Sequence, residues 1–226
     1  MNVKIFSLGD NALTIEFENR ISVAANNHVM ALARHLDENP FAGLIEIVPA
    51  YASLSVFYDV AIVRRNSTDF PTAFNSVKSF LETALQKLND SEESAARLIE
   101  IPVCFDEEFA PDLKSIAALN RLESEEVIEI FLSKIYRVYM LRFLPGFAYM
   151  GEVDKRIAAP RKLTPRLKVP KGSVGIAGRQ TGIYPFASPG GWQIIGRTNL
   201  EMFTPQEKSP TFLQAGDCVK FFSADF

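Results

Sequence analysis

Apolar positions in the first 90 residues follow two spacings. Leu13, Ile15 and Phe17 are separated by Thr14 and Glu16, the alternation of a strand with one buried face. Residues 3–8, 44–48 and 53–58 also read as strands. Gly9-Asp10 turns the chain after the first of these, and a turn containing Pro49 joins the other two. Behind Ser22, a candidate N-cap, Ala25, Val29, Leu32, Ala33 and Leu36 recur at helical spacing until Asn39-Pro40. A second helical run holds Phe74, Val77, Leu81, Ala84, Leu85 and Leu88, with Thr68 or Asp69 as its candidate cap. The predicted order is ββαββα: a small α+β domain over residues 1–90, with two helices on one face of an antiparallel or mixed sheet.

Residues 89–96 are polar, charged and aperiodic, the best linker candidate. The pattern changes after them. Residues 97–105 read as a strand with Pro102 at an edge or bend. Asp112 is expected to open a short helix, and Ser124-Glu125-Glu126 a stronger one whose apolar face is Val127, Ile128, Phe131, Leu132 and Ile135. A strand over 136–143 follows. After that come only short segments between Gly and Pro: 167–169, 173–177, 182–184, 192–196 and 218–222. Such punctuation predicts a compact β-barrel or sandwich over 97–226, with two short helices at its start.

Composition narrows the function classes. The chain has 226 residues, 47% hydrophobic and 23% charged, and a net charge of −3. This is the balance of a globular protein and excludes a dominant basic surface for nucleic acid. No apolar run approaches a membrane span, and no signal peptide is visible at the N-terminus, so the expected location is the cytoplasm. Cys104 and Cys218 form no CxxC pair and read as free thiols. His28 and His35, the only histidines, lie seven residues apart on one helix without a third ligand, so no metal site is expected.

The charge is unevenly distributed. Between Lys155 and Arg179 stand eight basic residues and no acidic one. A cationic segment on an acidic chain points to an anion site. The surrounding stretch, 143–197, also holds nine of the 12 glycines and the only Trp. Arg161, Arg166, Lys168 and Lys171 come from two Pro-Arg units and the strand after them, where proline stiffens the backbone that aims them. An Arg fork fits carboxylate or phosphate, and a solvated basic surface is the competing explanation. Gln180, Thr181 and Tyr184 set amide, hydroxyl and phenol groups beside glycine turns, either to bind a small polar ligand or to support those turns. Trp192, after Pro189-Gly190-Gly191, is either a pocket wall or a packed core residue. GIAGRQTG (175–182) lacks the GxxxxGK[ST] spacing of a phosphate loop. No histidine follows position 35, so no Ser-His-Asp or Cys-His set exists there.

Several motifs together carry a family resemblance. FLPGFAYMG, the two Pro-Arg units, VPKGSVGIAGRQTGIYP and SPGGWQIIGRT are its core. GDNAL, IPV and PDL upstream, and Gly216-Asp217 downstream, extend it over most of the chain. These resemble the family of the 5-oxoprolinase B subunit, also described as allophanate hydrolase subunit 1, which includes a sporulation-kinase inhibitor. The resemblance implies an α+β N-terminal domain followed by an all-β cyclophilin-like barrel domain. It implies two partners, a carboxyltransferase-like C subunit and an A subunit. Together the three hydrolyse 5-oxo-L-proline to L-glutamate with ATP, the chain being inactive alone. ATP would activate the unreactive lactam by phosphorylating its carbonyl oxygen, which calls for cationic groups. Inhibition of a sensor histidine kinase is one alternative. Another is a role in a urea- or allophanate-type amide carboxyltransferase or hydrolase, whose biotin would sit on another chain, because no Met-Lys-Met motif occurs here.

Matched residue by residue, the resemblance places Arg161, Arg166, Ser173, Gln180, Thr181 and Tyr184 at a substrate or anion site, to which the cationic segment adds Lys168 and Lys171. It places Phe143, Pro145, Gly146, Phe147, Pro189, Gly190, Gly191 and Trp192 at the pocket or a subunit interface. It assigns no catalytic step. Three positions depart from the family pattern: Phe131 stands where a His is usual, Arg142 where a Gly is usual, and Lys171 where an Ala is usual.

Overall fold

A computed structural model describes residues 3–18, 22–88 and 96–226. The expected linker lies outside these residues, apart from Ala96. The chain divides into two compact units, 1–95 and 96–226.

In the first unit β1 (Lys4–Ser7), β2 (Ala12–Glu16), β3 (Leu44–Pro49) and β4 (Ser53–Tyr58) form one antiparallel sheet in the order β1-β2-β4-β3. Helix α1 (Val23–Glu38) starts where Ser22 accepts a hydrogen bond from the Ala25 amide at 3.0 Å. Its face of Ala25, Val29, Leu32, Ala33 and Leu36 is buried, as the spacing predicts. Each larger aliphatic side chain of this face contributes about 1.5–3 kcal/mol on leaving water.

Two details differ from the sequence pattern. A short helix, α2 (Val60–Asn66), precedes the expected one, so the order is ββαββαα. Asp59 caps it by accepting from the Ile62 amide at 2.8 Å. Only Val63 of α2 is buried, and a single apolar contact leaves no periodicity to read. Helix α3 (Ala73–Lys87) is capped by Thr72, not by Thr68 or Asp69. The intervening residues bend into α3 rather than extend it. His28 and His35 are half-buried, and His28 stacks on Phe17 with ring centroids 5.8 Å apart.

The second unit is built on a seven-stranded sheet. Its strands are β5 (Leu98–Val103), β6 (Ile135–Leu141), β7 (Ala148–Gly151), β9 (Ser173–Ala177), β10 (Gln180–Ile183), β12 (Gln193–Arg197) and β13 (Cys218–Ser223). The order is β12-β9-β10-β7-β6-β13-β5, antiparallel except for the parallel pair β13–β5. The sheet curls until its outer strands meet: Cys104 and Arg197 exchange two backbone hydrogen bonds, at 2.8 and 3.0 Å. A separate two-stranded ribbon pairs β8 (Arg166–Val169) with β11 (Ser188–Gly190). Two of these strands, β7 and β11, are too short and glycine-flanked to stand out in the sequence.

Helices α4 (Leu113–Asn120) and α5 (Ser124–Leu132) cover the interior of the curled sheet. Glu123, one residue before the expected cap, forms a capping box with Glu126. Phe131 is fully buried and stacks on Phe221, with centroids 5.0 Å apart. The Tyr136 hydroxyl donates to the Phe131 carbonyl at 2.8 Å. At the position where the resemblance expects a His, this chain therefore has core aromatic packing. Both cysteines are free; Cys104 is buried, whereas Cys218 is half-buried. Among the described residues no helix is long and apolar enough to cross a membrane, and no cluster of His, Cys, Asp or Glu has the arrangement of a metal site.

Candidate anion-binding site

Much of the cationic segment is occupied by acids from within the chain. Asp112, at the N-terminus of α4, is only 2% exposed and makes no side-chain cap bond to its helix. Its carboxylate instead accepts two hydrogen bonds from Arg166, at 2.7 and 2.8 Å. It accepts a third from Lys162 Nζ at 2.7 Å and a fourth from the Ile194 amide at 2.7 Å. Burial alone would raise the Asp112 pKa. The bonds from Arg166, Lys162 and Ile194 outweigh it and hold the carboxyl below its usual range.

The Arg166 fork is thus occupied by Asp112 within the chain. Lys171 is likewise paired with Glu201. Arg179 is paired with Glu152. Sequence reading missed these acids because Asp112 precedes its two side-chain partners by 50 and 54 residues. The PDL motif marked its position but not its role.

The polar residues separate in the same way. Thr181 is fully buried and donates to the Gly175 carbonyl at 3.0 Å, which is support for the β9–β10 hairpin. Ser173 is buried in β9, and Gln180 is half-buried at the start of β10. The segment 175–182 forms this hairpin and no phosphate loop.

What the fold does gather is an aromatic cluster, with Phe147, Tyr184 and Trp192 in its core and arginines beside it. Leu144-Pro145-Gly146-Phe147 makes a tight turn, closed by the Phe147 amide donating to the Leu144 carbonyl at 2.9 Å. Gly146 takes φ +81°, and a Cβ there would stand 2.8 Å from the Met202 carbonyl oxygen. Phe143, at φ +75°, is in the left-handed region that bulky residues rarely adopt, and the residue is 56% exposed. It meets Phe147 edge-on at 5.5 Å. Phe147 in turn meets Tyr184 at 5.2 Å and Trp192 at 5.4 Å, both close to perpendicular. Tyr149 joins Trp192 at 5.7 Å.

The approach to this cluster is fixed from the other side. Gln193 Nε2 donates to the Pro160 carbonyl at 3.0 Å, and the Lys162 amide donates to the Gly191 carbonyl at 2.7 Å. These bonds tie the first Pro-Arg unit to the Pro189-Gly190-Gly191-Trp192 turn. Gly190 packs directly on Tyr184: a Cβ would fall 2.4 Å from the phenol oxygen. The Arg161 guanidinium then lies over the Trp192 ring, 5.9 Å from its centroid, in cation–π range.

Burial raises the pKa of both Tyr149 and Tyr184. Arg161 and Arg142 work against this at Tyr149, and the Trp192 backbone hydrogen bond does so first at Tyr184. Both phenols are therefore protonated at neutral pH. Among the described residues neither Arg161 nor Lys168 has a carboxylate within ion-pair distance. Phe147, Tyr184 and Trp192 are buried together in one core cluster, so Trp192 is a packed core residue, and Arg161 with the half-buried Tyr149 are the groups left to meet a small anion. Tyr149 and Arg142 are additions to the residues picked from sequence. Arg142 stood out there only as a departure from the family pattern.

A family model for the carboxyltransferase domain, subdomain C and D, matches residues 3–213. The chain is 49% identical to the B subunit of 5-oxoprolinase from Bacillus subtilis (strain 168), over 96% of this chain and 91% of that one. It is 37% identical to the protein of the same name from Haemophilus influenzae, over 97% of each chain. Among solved structures TTHA0988 superposes with a TM-score of 0.80 at 35% identity, over 95% of this chain and 40% of that one. This chain thus spans about two fifths of TTHA0988. The Kluyveromyces lactis urea carboxylase shares the fold, with a TM-score of 0.76 at 19% identity over 99% of this chain and 22% of that one.

Proposed function

The chain belongs to the family of carboxyltransferase-domain subdomains C and D, and from that premise we propose that it is the B subunit of an ATP-dependent 5-oxoprolinase. The observation that carries the reading is the near full-length identity to relatives named as the B subunit of 5-oxoprolinase. The chain acts with a carboxyltransferase-like C subunit and an A subunit, in the cytoplasm, and has no activity alone. Residues 97–226 are read as a cyclophilin-like barrel, which the meeting of the sheet's two ends at Cys104 and Arg197 supports.

Within this reading Arg161 receives the carboxylate of 5-oxo-L-proline, with Arg142 adding positive charge. The ring of the substrate lies against Phe143 and Tyr149, the accessible members of an aromatic cluster whose Phe147 and Trp192 are core residues. Tyr149, kept protonated by burial, is available as a hydrogen-bond donor. Arg166, Lys162 and Asp112 form a rigid brace that positions the loop carrying Arg161. Segment 175–182 is a hairpin and not a phosphate loop, and Arg166, Lys171 and Arg179 are already ion-paired. ATP is accordingly a substrate of the assembly, and its phosphates are assigned to the partner chains. ATP supplies the phosphoryl group that activates the lactam oxygen; this chain binds and orients the lactam.

The test is reconstitution. The purified chain with its A and C partners converts 5-oxoproline to glutamate only when ATP is present. Loss of one charge-assisted hydrogen bond is worth about 1.5–3 kcal/mol. Arg161→Gln therefore raises KM for 5-oxoproline roughly ten- to hundredfold with an unchanged circular dichroism spectrum. A well-folded three-component mixture without turnover overturns the assignment.

A further inference from the structure

The first unit holds a cleft that the proposed function does not use. Its volume is about 410 Å³, toward the lower end of the roughly 300–1,000 Å³ of small-molecule sites. It lies between α2, α3 and the turn at Phe41. Three phenylalanines, Phe41, Phe70 and Phe80, stand around it, and the buried Val63 and Val77 close its inner side. Every residue that lines it is uncharged.

The two helices leave this gap for a reason visible in their sequences. On α3, Ser76, Phe80 and Thr83 recur at helical spacing beside the core face of Val77, Leu81 and Ala84. The helix therefore turns a flank of mixed rings and hydroxyls toward α2. Helix α2 has seven residues and buries only Val63, too little to cover that flank.

The gap is held open from each side. Arg64 of α2 donates to the Phe70 carbonyl and ties the α2–α3 connection back onto α2. Thr72 caps α3 by accepting from the Asn75 amide at 3.1 Å. The Phe41 turn is closed by the Leu44 amide at 3.1 Å, and the Gly43 carbonyl accepts from the amide of Asp59, the α2 cap, at 2.8 Å. Phe41 and Phe80 meet with ring centroids 5.2 Å apart. A ligand entering such a preformed site orders little additional chain.

The lining also fixes the chemistry of the ligand. Ser76 is 8% exposed; its hydroxyl donates to the Thr72 carbonyl at 3.3 Å. The Thr83 hydroxyl is used in the same way, donating to the Ser79 carbonyl at 3.0 Å. The Ser79 hydroxyl has no hydrogen-bond partner among the described residues. Uncharged walls give an ion nothing to replace its hydration, so the site selects a neutral molecule. Three rings favour an aromatic guest in edge-to-face contact. A free serine hydroxyl calls for one hydroxyl on that guest.

We infer that this cleft binds a neutral monocyclic aromatic molecule carrying one hydroxyl group, its ring between Phe41, Phe70 and Phe80 and its hydroxyl on Ser79. The inference is independent of the 5-oxoprolinase reading, because every residue it uses belongs to the first unit.

The experiment titrates the isotope-labelled full chain with p-cresol and follows backbone amide shifts by NMR. Saturable shifts fall on α2, α3 and the Phe41 turn, with a dissociation constant of about 1 mM or tighter. Toluene, which lacks the hydroxyl, binds roughly two- to tenfold more weakly. The anion para-methylbenzoate binds about tenfold more weakly or worse. Ser79→Ala lowers p-cresol affinity to the toluene level and leaves toluene unchanged. Ser79→Trp fills the cleft and removes the shifts; Ser79→Ala, which disturbs no packing, keeps the test decisive if the larger side chain distorts α3. No saturable shift at about 10 mM p-cresol, or saturable shifts confined to other residues, overturns the site. Equal binding of para-methylbenzoate overturns the neutral class. Toluene binding as tightly as p-cresol, or an unaffected Ser79→Ala, overturns the hydroxyl contact.

Discussion

Removing the Asp112 charge strands two cations and a backbone amide. In Asp112→Asn the new Nδ2 donor faces groups that are already donors: the Arg166 fork, Lys162 Nζ and the Ile194 amide. Breaking a buried ion pair by deleting one partner typically costs about 3–5 kcal/mol. Here Lys162 and Arg166 retain 30% and 27% side-chain exposure, so water recovers part of that. The expected loss is about 2–4 kcal/mol. Urea unfolding reads this as a midpoint lowered by roughly 1–2 M, with the slope unchanged. Adding Arg166→Met to Asp112→Asn removes one stranded charge and restores part of the loss, a coupling that simple damage to packing would not produce.

The pH dependence gives an independent check. The folded pKa of Asp112 is depressed, so the unfolded chain binds more protons in the window between the folded and unfolded values. The stabilisation is complete above the ordinary aspartate pKa of about 3.9 and is lost as pH falls through the folded value. The parent should therefore lose stability below about pH 4 more steeply than Asp112→Asn does. A stability change under about 0.5 kcal/mol, together with identical acid profiles, would refute the brace.

Two further outcomes follow from close packing. Gly190→Ala places a methyl group 2.4 Å from the Tyr184 hydroxyl, so the turn must shift; emission from Trp192, the sole tryptophan, moves to the red, and an unmoved spectrum contradicts the contact. Phe131→Ala leaves a cavity among Tyr136, Phe221 and Phe105 and costs about 3–5 kcal/mol in chemical denaturation, whereas a value below about 1 kcal/mol would mean that Phe131 is not core.

Local pattern accounts for much of this protein. The face of α1, the Ser22 cap, the alternation of β2 and the start of α4 at Asp112 all depend on neighbours within a few residues. Backbone geometry repeats at that scale, so side-chain spacing reports it directly. Helix α2 escaped because one buried residue, Val63, sets no period. The motif residues around Trp192 were also legible, since glycine and proline mark turns wherever they occur.

The use of each charge was not legible. In the sequence Arg161, Arg166, Lys168 and Lys171 look alike. In the fold Arg166 faces Asp112, Lys171 faces Glu201, and Arg161 lies over an indole. Electrostatic energy depends on separation in space and on exclusion of water, not on separation along the chain. Folding brought an acid from 54 positions upstream onto Arg166, and so decided which cations serve as braces and which remain open to a ligand.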